Sequence, residues 1–271
     1  MKCRIKHLFT DGLCIWIWGM CGRFVSARER QQLIDEFGVE RDQVTGDLAP
    51  DYNVAPTDSI YAVMARPPRD DRDAPPAREL HAVRWGLIPS WAKDLSGAGR
   101  LINARAETVT VKPSFRNAFA RRRCLIPADG YYEWRTLASP DGGKPRKQPY
   151  FIHRSDGGGM ALAGLYELWR DAALPADHPR AWLWTAAIIT TRATDEVGWV
   201  HDRMPMVISP DLWADWLDPA PADADRLLKV MAPAACDALE TRPVSPAVNS
   251  VRNDGPDLIA PVTSAGEPGT A

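Results

Sequence analysis

The sequence predicts a single α+β domain, built on a mainly antiparallel, barrel-like sheet with flanking helices. Three observations carry that prediction. Apolar and β-branched residues recur in many short runs separated by Pro- and Gly-rich turns. Helical periodicity appears in only a few places, and strands do not alternate regularly with helices, which argues against a parallel βαβ sheet. The length of 271 residues suits one large core, and no internal repeat is visible.

Taken in chain order, Val25, Leu33, Ile34 and Phe37 space out a first helix over 25–38, with Ser26 as N-cap and Gly38 as C-cap. YNVAP at 52–56 leads into a short strand at 60–65. Residues 67–79, PPRDDRDAPPARE, are rich in proline and charge without an apolar period, which predicts a flexible loop. HAVRWGLIPSW at 81–91 reads as a strand and a turn. Further short segments follow at 101–111 and 123–134, with a helix near 113–121 between them. QPYFIHR suits a strand, and the apolar runs at 160–169 and 181–193 suit buried strands. DLWADWL at 211–217 places Leu212, Trp213, Trp216 and Leu217 on one helical face, and PADADRLLKVM adds a second short helix. The expected division is a leader or mis-assigned start at 1–19, one domain at 20–262 and a disordered tail at 263–271.

A net charge of −2 gives no global attraction for nucleic acid, so any polyanion site has to be a local patch. The five cysteines contain no C-x-x-C pair, which points away from a disulfide framework or zinc ribbon and towards a reducing cytoplasm. Cys3, His7, Cys14 and Cys21 match no standard zinc spacing, so neither a metal nor a cofactor is expected. The first nineteen residues imitate a secretory signal loosely. Asp11 and Gly12 interrupt the apolar run, and Trp16, Trp18 and Met20 stand near where small residues precede a cleavage site.

The chemistry-bearing residues begin at Cys21. With Met20 removed, this residue has a free α-amine beside its thiol. An α-amine with a pKa of about 7.7 is partly unprotonated at neutral pH and can attack an aldehyde; the thiol can then close a five-membered thiazolidine ring. The bland alternative is a small buried hydrophobe. Arg23 places a cation nearby. In INARAET at 102–108, Asn103 and Arg105 share one face of a strand, as ligand-orienting groups or as part of a surface strand. Glu133 lies between Tyr132 and Trp134, where aromatic surroundings disfavour its charged form, although an exposed edge-strand carboxylate reads the same way. His201 is either a proton shuttle or a structural histidine. The Arg121–Arg123 run offers phosphate contacts or a solvated face.

Together, MCGRF (20–24), YNVAP (52–56), RWGLIPSWAKD (84–94), LINARAET (101–108), RRCLIPADGYYEW (122–134), VHDRMPMVIS (200–209) and PVSPAVNSVRNDG (243–255) resemble the SRAP family. These are the SOS response-associated peptidases, also called abasic site processing proteins. The resemblance implies one SRAP domain that binds single-stranded DNA at abasic sites and links to them covalently through an N-terminal cysteine. It places the nucleophile on Cys21, the orienting amide on Asn103, the acidic catalyst on Glu133 and the histidine on His201. It puts Arg23 and Arg105 on the DNA backbone. Trp85 and Trp91 are candidates to stack on neighbouring bases, with core burial as the alternative. The expected partner is single-stranded DNA with abasic sites, not a membrane, and the expected state is a cytoplasmic monomer associated with the nucleoid at damage.

Two other functions use the same residues: a cysteine peptidase that releases its own leader, and a non-catalytic binder of single strands. The residues before Met20 conflict with a free amine at Cys21. Three explanations are weighed in order: a start assigned too early, a propeptide the protein removes itself, and a variant that has lost crosslinking.

Overall fold

The computed structural model describes residues 21–262 except 69, 96, 98, 140–142, 221–226 and 228–238. The expected leader, the tail, all but Leu227 of the predicted second short helix, and Cys3, His7 and Cys14 lie outside the described residues.

Five strands close into a barrel: β4 (Ser59–Arg66), β5 (Ala77–Trp85), β7 (Arg123–Ala128), β10 (Met160–Arg170) and β11 (Trp182–Arg192). The joints β5–β4, β4–β7, β7–β10 and β10–β11 are antiparallel. An odd number of strands cannot alternate direction all the way round, so one joint has to be parallel. The β11–β5 pairing, Thr185 opposite Arg84 and Ala186 opposite Trp85, supplies it.

Alternation along these strands sorts side chains into two apolar sets. Tyr61, Val63, Leu80, Leu125, Ala163, Leu165 and Ala187 face outward and are covered by α1 (Arg30–Phe37), α2 (Arg116–Arg121) and α4 (Trp213–Leu217), through residues such as Phe37, Phe119 and Trp216. Ala62, Met64, Val83, Cys124, Ile126, Leu162, Ala186 and Ile188 form the opposite, interior set, which packs with Cys21, Phe24 and Trp85. Gly164 is required there: a Cβ on it would sit 2.7 Å from Cys124 Sγ and 2.8 Å from Ile126 Cδ1.

A second, antiparallel sheet covers the Cys21 end of this interior in the order β13 (Leu239–Pro243), β9 (Arg146–Arg154), β8 (Gly130–Leu137), β1 (Phe24–Ser26), β3 (Asp51–Val54). Two short strands extend β11. On one side β6 (Asn103–Arg105) pairs in parallel with Ile188–Thr190, and on the other β12 (Arg203–Pro205) pairs antiparallel with Thr190–Arg192. The remaining elements are the short β2 (Arg41–Asp42), on the edge of β5, α3 (Asp195–Gly198), between β11 and β12, and 3₁₀ turns at Pro210–Leu212, Pro246–Asn249 and Pro256–Ile259.

The first helix is shorter than its periodicity predicts. Val25 and Ser26 belong to β1, because Asp129 binds the chain just after them, accepting from the Ala27 N–H (2.7 Å) and Arg28 Nε (2.8 Å). Glu29 is the N-cap, its N–H donating to Gln32 Oε1 at 3.1 Å, while Gly38 closes the helix in the left-handed region at φ 57° as expected. The proline-rich loop ends at Pro76, so Ala77–Glu79 begin β5. Among the described residues no helix is long and apolar enough to cross a membrane.

Candidate active site

Cys21 lies where the chain enters β1, completely buried against the barrel interior. The Asn103 side-chain amide donates to its carbonyl at 2.9 Å, and its Sγ is 4.0 Å from the Arg23 carbonyl. Asn103 reaches it because β6 adds to β11 with Asn103 opposite Ile188, an interior residue. Burial pushes the Cys21 thiol well above its ordinary value, and the Glu133 charge adds to the effect. The folded site therefore holds a thiol at neutral pH.

Glu133 is on β8, the strand next to β1, and is only 3% exposed. Burial raises its carboxyl to about 8, helped by Asp202 and opposed by the Trp134 N–H and Lys147. The sequence left its environment open; here the carboxyl is buried and titrates near neutrality. Two buried acceptor atoms at this site, Glu133 Oε1 and Asn103 Oδ1, have no hydrogen-bond partner among the described residues. Both belong to residues close to Cys21.

His201 follows α3, on the wall of an open cleft of about 960 Å³ lined also by Arg105, Glu107, Arg192, Trp199 and Arg203. The Arg203 N–H donates to Nδ1 at 3.0 Å, so the neutral ring carries its proton on Nε2. Arg203 grips Glu107 with two hydrogen bonds, Nη1–Oε1 at 2.5 Å and Nη2–Oε2 at 3.1 Å, and donates to the Thr190 carbonyl at 2.7 Å. That pairing holds the Glu107 carboxyl below its usual range. Asn103 and Arg105 are alternate residues of β6, so one three-residue strand connects the buried cysteine to the cleft wall.

Two expectations, for Trp85 and Arg123, need correction. Trp85 is completely buried, its Nε1 donating to the Ile102 carbonyl at 3.0 Å and its ring edge-on to Phe24, so no base can reach its face. Arg23 is half-buried. Its guanidinium donates to Asn53 Oδ1 (2.6 Å) and to the Val248 carbonyl (2.9 Å), clamping a distant segment onto the entry to β1. Arg123, read as a phosphate contact or solvated face, is 2% exposed and bound to backbone carbonyls, including those of Trp216 (2.7 Å) and Phe119 (2.8 Å). Arg122 of the same run pairs with Glu167 at 2.8 Å. Trp91 is 66% exposed but is not among the cleft-lining residues.

Sequence reasoning missed Arg203 and Trp199 as cleft residues. Arg203 had a signal, since it stands two positions after His201 in a strand-like segment. Trp199 had none, because its place on the wall depends on where α3 ends. Among the described residues no group of three or more His, Cys, Asp or Glu side chains is arranged to hold a metal.

The family model for the SOS response associated peptidase (SRAP) matches residues 20–251. The abasic site processing protein YoqW of Bacillus subtilis is 38% identical over 240 residues, covering 89% of this chain and 99% of its own length. The abasic site processing protein HMCES of Gallus gallus is 32% identical over 241 residues, covering 80% of this chain and 68% of its own. A solved protein from Bacteroides thetaiotaomicron shares the fold, with TM-score 0.72 at 22% identity over 90% of this chain and all of that one.

Proposed function

The chain belongs to the SRAP family, and from that premise we propose that it captures abasic sites in single-stranded DNA as a covalent thiazolidine on Cys21. The observation that carries this reading is the pairing of a buried Cys21, its carbonyl held by Asn103, with a neighbouring carboxyl, Glu133, that titrates at about 8. A near-neutral carboxyl is suited to giving and taking protons at physiological pH.

The reading requires cleavage before Cys21, which creates the α-amine. In the proposed sequence His201 assists opening of the abasic deoxyribose by giving a proton to the sugar O4′ as the C1′–O4′ bond breaks, and the C1′ hydroxyl gives up its proton to solvent as the aldehyde forms. The Cys21 amine adds to C1′, the hydroxyl of this adduct leaves as water with a proton from Glu133, and the iminium nitrogen returns a proton to Glu133 to leave the neutral imine. The Cys21 thiol then adds to the imine carbon while its proton passes to nitrogen. One aldehyde, one amine and one thiol become a ring and one water. Glu133 Oε1 and Asn103 Oδ1 are the acceptors for the amine's hydrogens. Arg105, exposed on the cleft wall, is the cation for a phosphate flanking the lesion. The setting proposed is the cytoplasm, in the response to DNA damage.

The peptidase alternative needs a thiolate to attack an amide. Burial and the nearby Glu133 both disfavour a thiolate at Cys21, whereas the condensation begins with the amine. A denaturing gel distinguishes the two. Protein beginning at Met20 forms a heat-stable conjugate with an abasic single strand. Cys21→Ser keeps the amine but cannot close the sulfur ring, so its conjugate survives only after borohydride reduction. A stable conjugate from unreduced Cys21→Ser would refute the thiazolidine.

A further inference from the structure

Resting on the single-strand reading above, we infer that Trp199 is the base-stacking platform of this cleft, taking the flat face of a nucleobase beside the lesion. Three tryptophans are prominently exposed among the described residues, Trp91, Trp182 and Trp199, at 66%, 49% and 41%. Only Trp199 of these lines the cleft that holds His201, Arg105 and Arg203. Glu107, Asp195 and Asp202 share this wall with Arg105, Arg192 and Arg203, so what the cleft offers a single strand is chiefly the exposed indole, which accepts bases of any sequence, beside the exposed Arg105.

The ring is held in place before any ligand arrives. Trp199 closes α3, whose Val197 is buried, and its Nε1 donates to the Glu196 carbonyl at 2.9 Å. Tyr150 packs against it at a steep angle with ring centroids 5.0 Å apart, and the Arg135 guanidinium lies over one face of the ring, 4.9 Å from its centroid, so a base stacks on the opposite face. A side chain fixed on three sides loses little freedom on binding, so the stacking energy is retained. Tyr150 is the cross-strand partner of Glu133, and Trp199 stands two residues before His201. The platform is therefore tied to both proton-handling groups, which places the stacked base next to the reacting sugar.

The test is equilibrium binding, by fluorescence anisotropy, to a labelled single strand with one central tetrahydrofuran residue. This analogue lacks both base and aldehyde, so no covalent step intervenes. Trp199→Ala is expected to bind about 5- to 150-fold more weakly than the parent, the loss of one stacked base, and Trp199→Phe within about threefold of it. On a second strand, with the flanking nucleotides also replaced by tetrahydrofuran, Trp199→Ala and parent are expected to bind alike. Equal binding by Trp199→Ala on the first strand would overturn the platform, as would an undiminished loss on the second. If the parent binds neither strand, the single-strand reading falls as well. Parent binding without dependence on Trp199 removes the platform alone.

Discussion

Replacing Glu133 with glutamine should stabilise this protein, and by an amount that grows with pH. In the folded state Glu133 keeps its proton up to about pH 8, whereas the unfolded carboxyl loses it at the ordinary 4.5. Between those values the unfolded chain binds fewer protons than the folded one, so Glu133 makes stability fall as pH rises. Each pH unit in the window is worth about 1.4 kcal/mol, which brings the penalty to about 3 kcal/mol at pH 7 and between about 4 and 5 at pH 8. Glutamine has nearly the same shape and no charge to desolvate. Its buried amide costs about 1 kcal/mol or more if unpartnered, a term that does not vary with pH. Urea unfolding followed by far-ultraviolet circular dichroism at pH 5, 6, 7 and 8 isolates the effect, because other titrations cancel in the difference. Glu133→Gln is predicted to gain on the parent by about 1.4 kcal/mol per pH unit. A constant difference across the series would mean that Glu133 is ionised in the folded protein and that its assignment as a near-neutral acid is wrong.

Asn103→Ala removes the side-chain donor to the buried Cys21 carbonyl and should destabilise by about 1–3 kcal/mol, slowing conjugation more than it lowers DNA affinity; thermal melting and single-turnover gels measure the two effects. Gly164→Ala should destabilise by about 1–3 kcal/mol through its clash with Cys124 Sγ, and Cys124→Ala should restore part of that loss, whereas a loss unchanged in the double variant would contradict the barrel packing. Arg123→Lys should destabilise by about 3 kcal/mol, since one ammonium cannot reach the carbonyls on both α2 and α4 that the guanidinium joins, and single-strand affinity of the folded variant should be unchanged. Reduced affinity with parental stability would return Arg123 to the surface.

The strands were legible where composition and periodicity agreed. β10 and β11 are nearly continuous apolar runs because both of their faces are covered, by the interior set on one side and the helices on the other. Barrel closure was legible only as a general tendency, since the parallel β11–β5 joint pairs Thr185 with Arg84 across a hundred residues. The early start of the first helix was misread because Asp129, a residue far along the chain, holds Ala27 and Arg28 out of it. Local patterns also could not decide burial for single polar or aromatic residues. RRR at 121–123 reads as a solvated run, yet its third member threads between α2 and α4. Trp85 and Trp91 stand six residues apart in one motif, and one is core while the other is two-thirds exposed. At the site, Cys21, Asn103, Glu133 and His201 were singled out from residue chemistry and family resemblance. The fold brings Asn103 into hydrogen-bond contact with Cys21 and sets Glu133 close enough to raise its thiol. His201 lies on the cleft wall beyond them.

Condensation at both the amine and the thiol of Cys21 leaves a mass signature that intact mass spectrometry reads without an intermediary. Protein made to begin at Met20 is mixed with a single-stranded oligonucleotide carrying one abasic site, then fragmented to place the adduct. The expected mass equals protein without Met20 plus DNA less one water, with the modification confined to Cys21. An unmodified Cys21 in folded protein, or an adduct carried by a lysine instead, would contradict it.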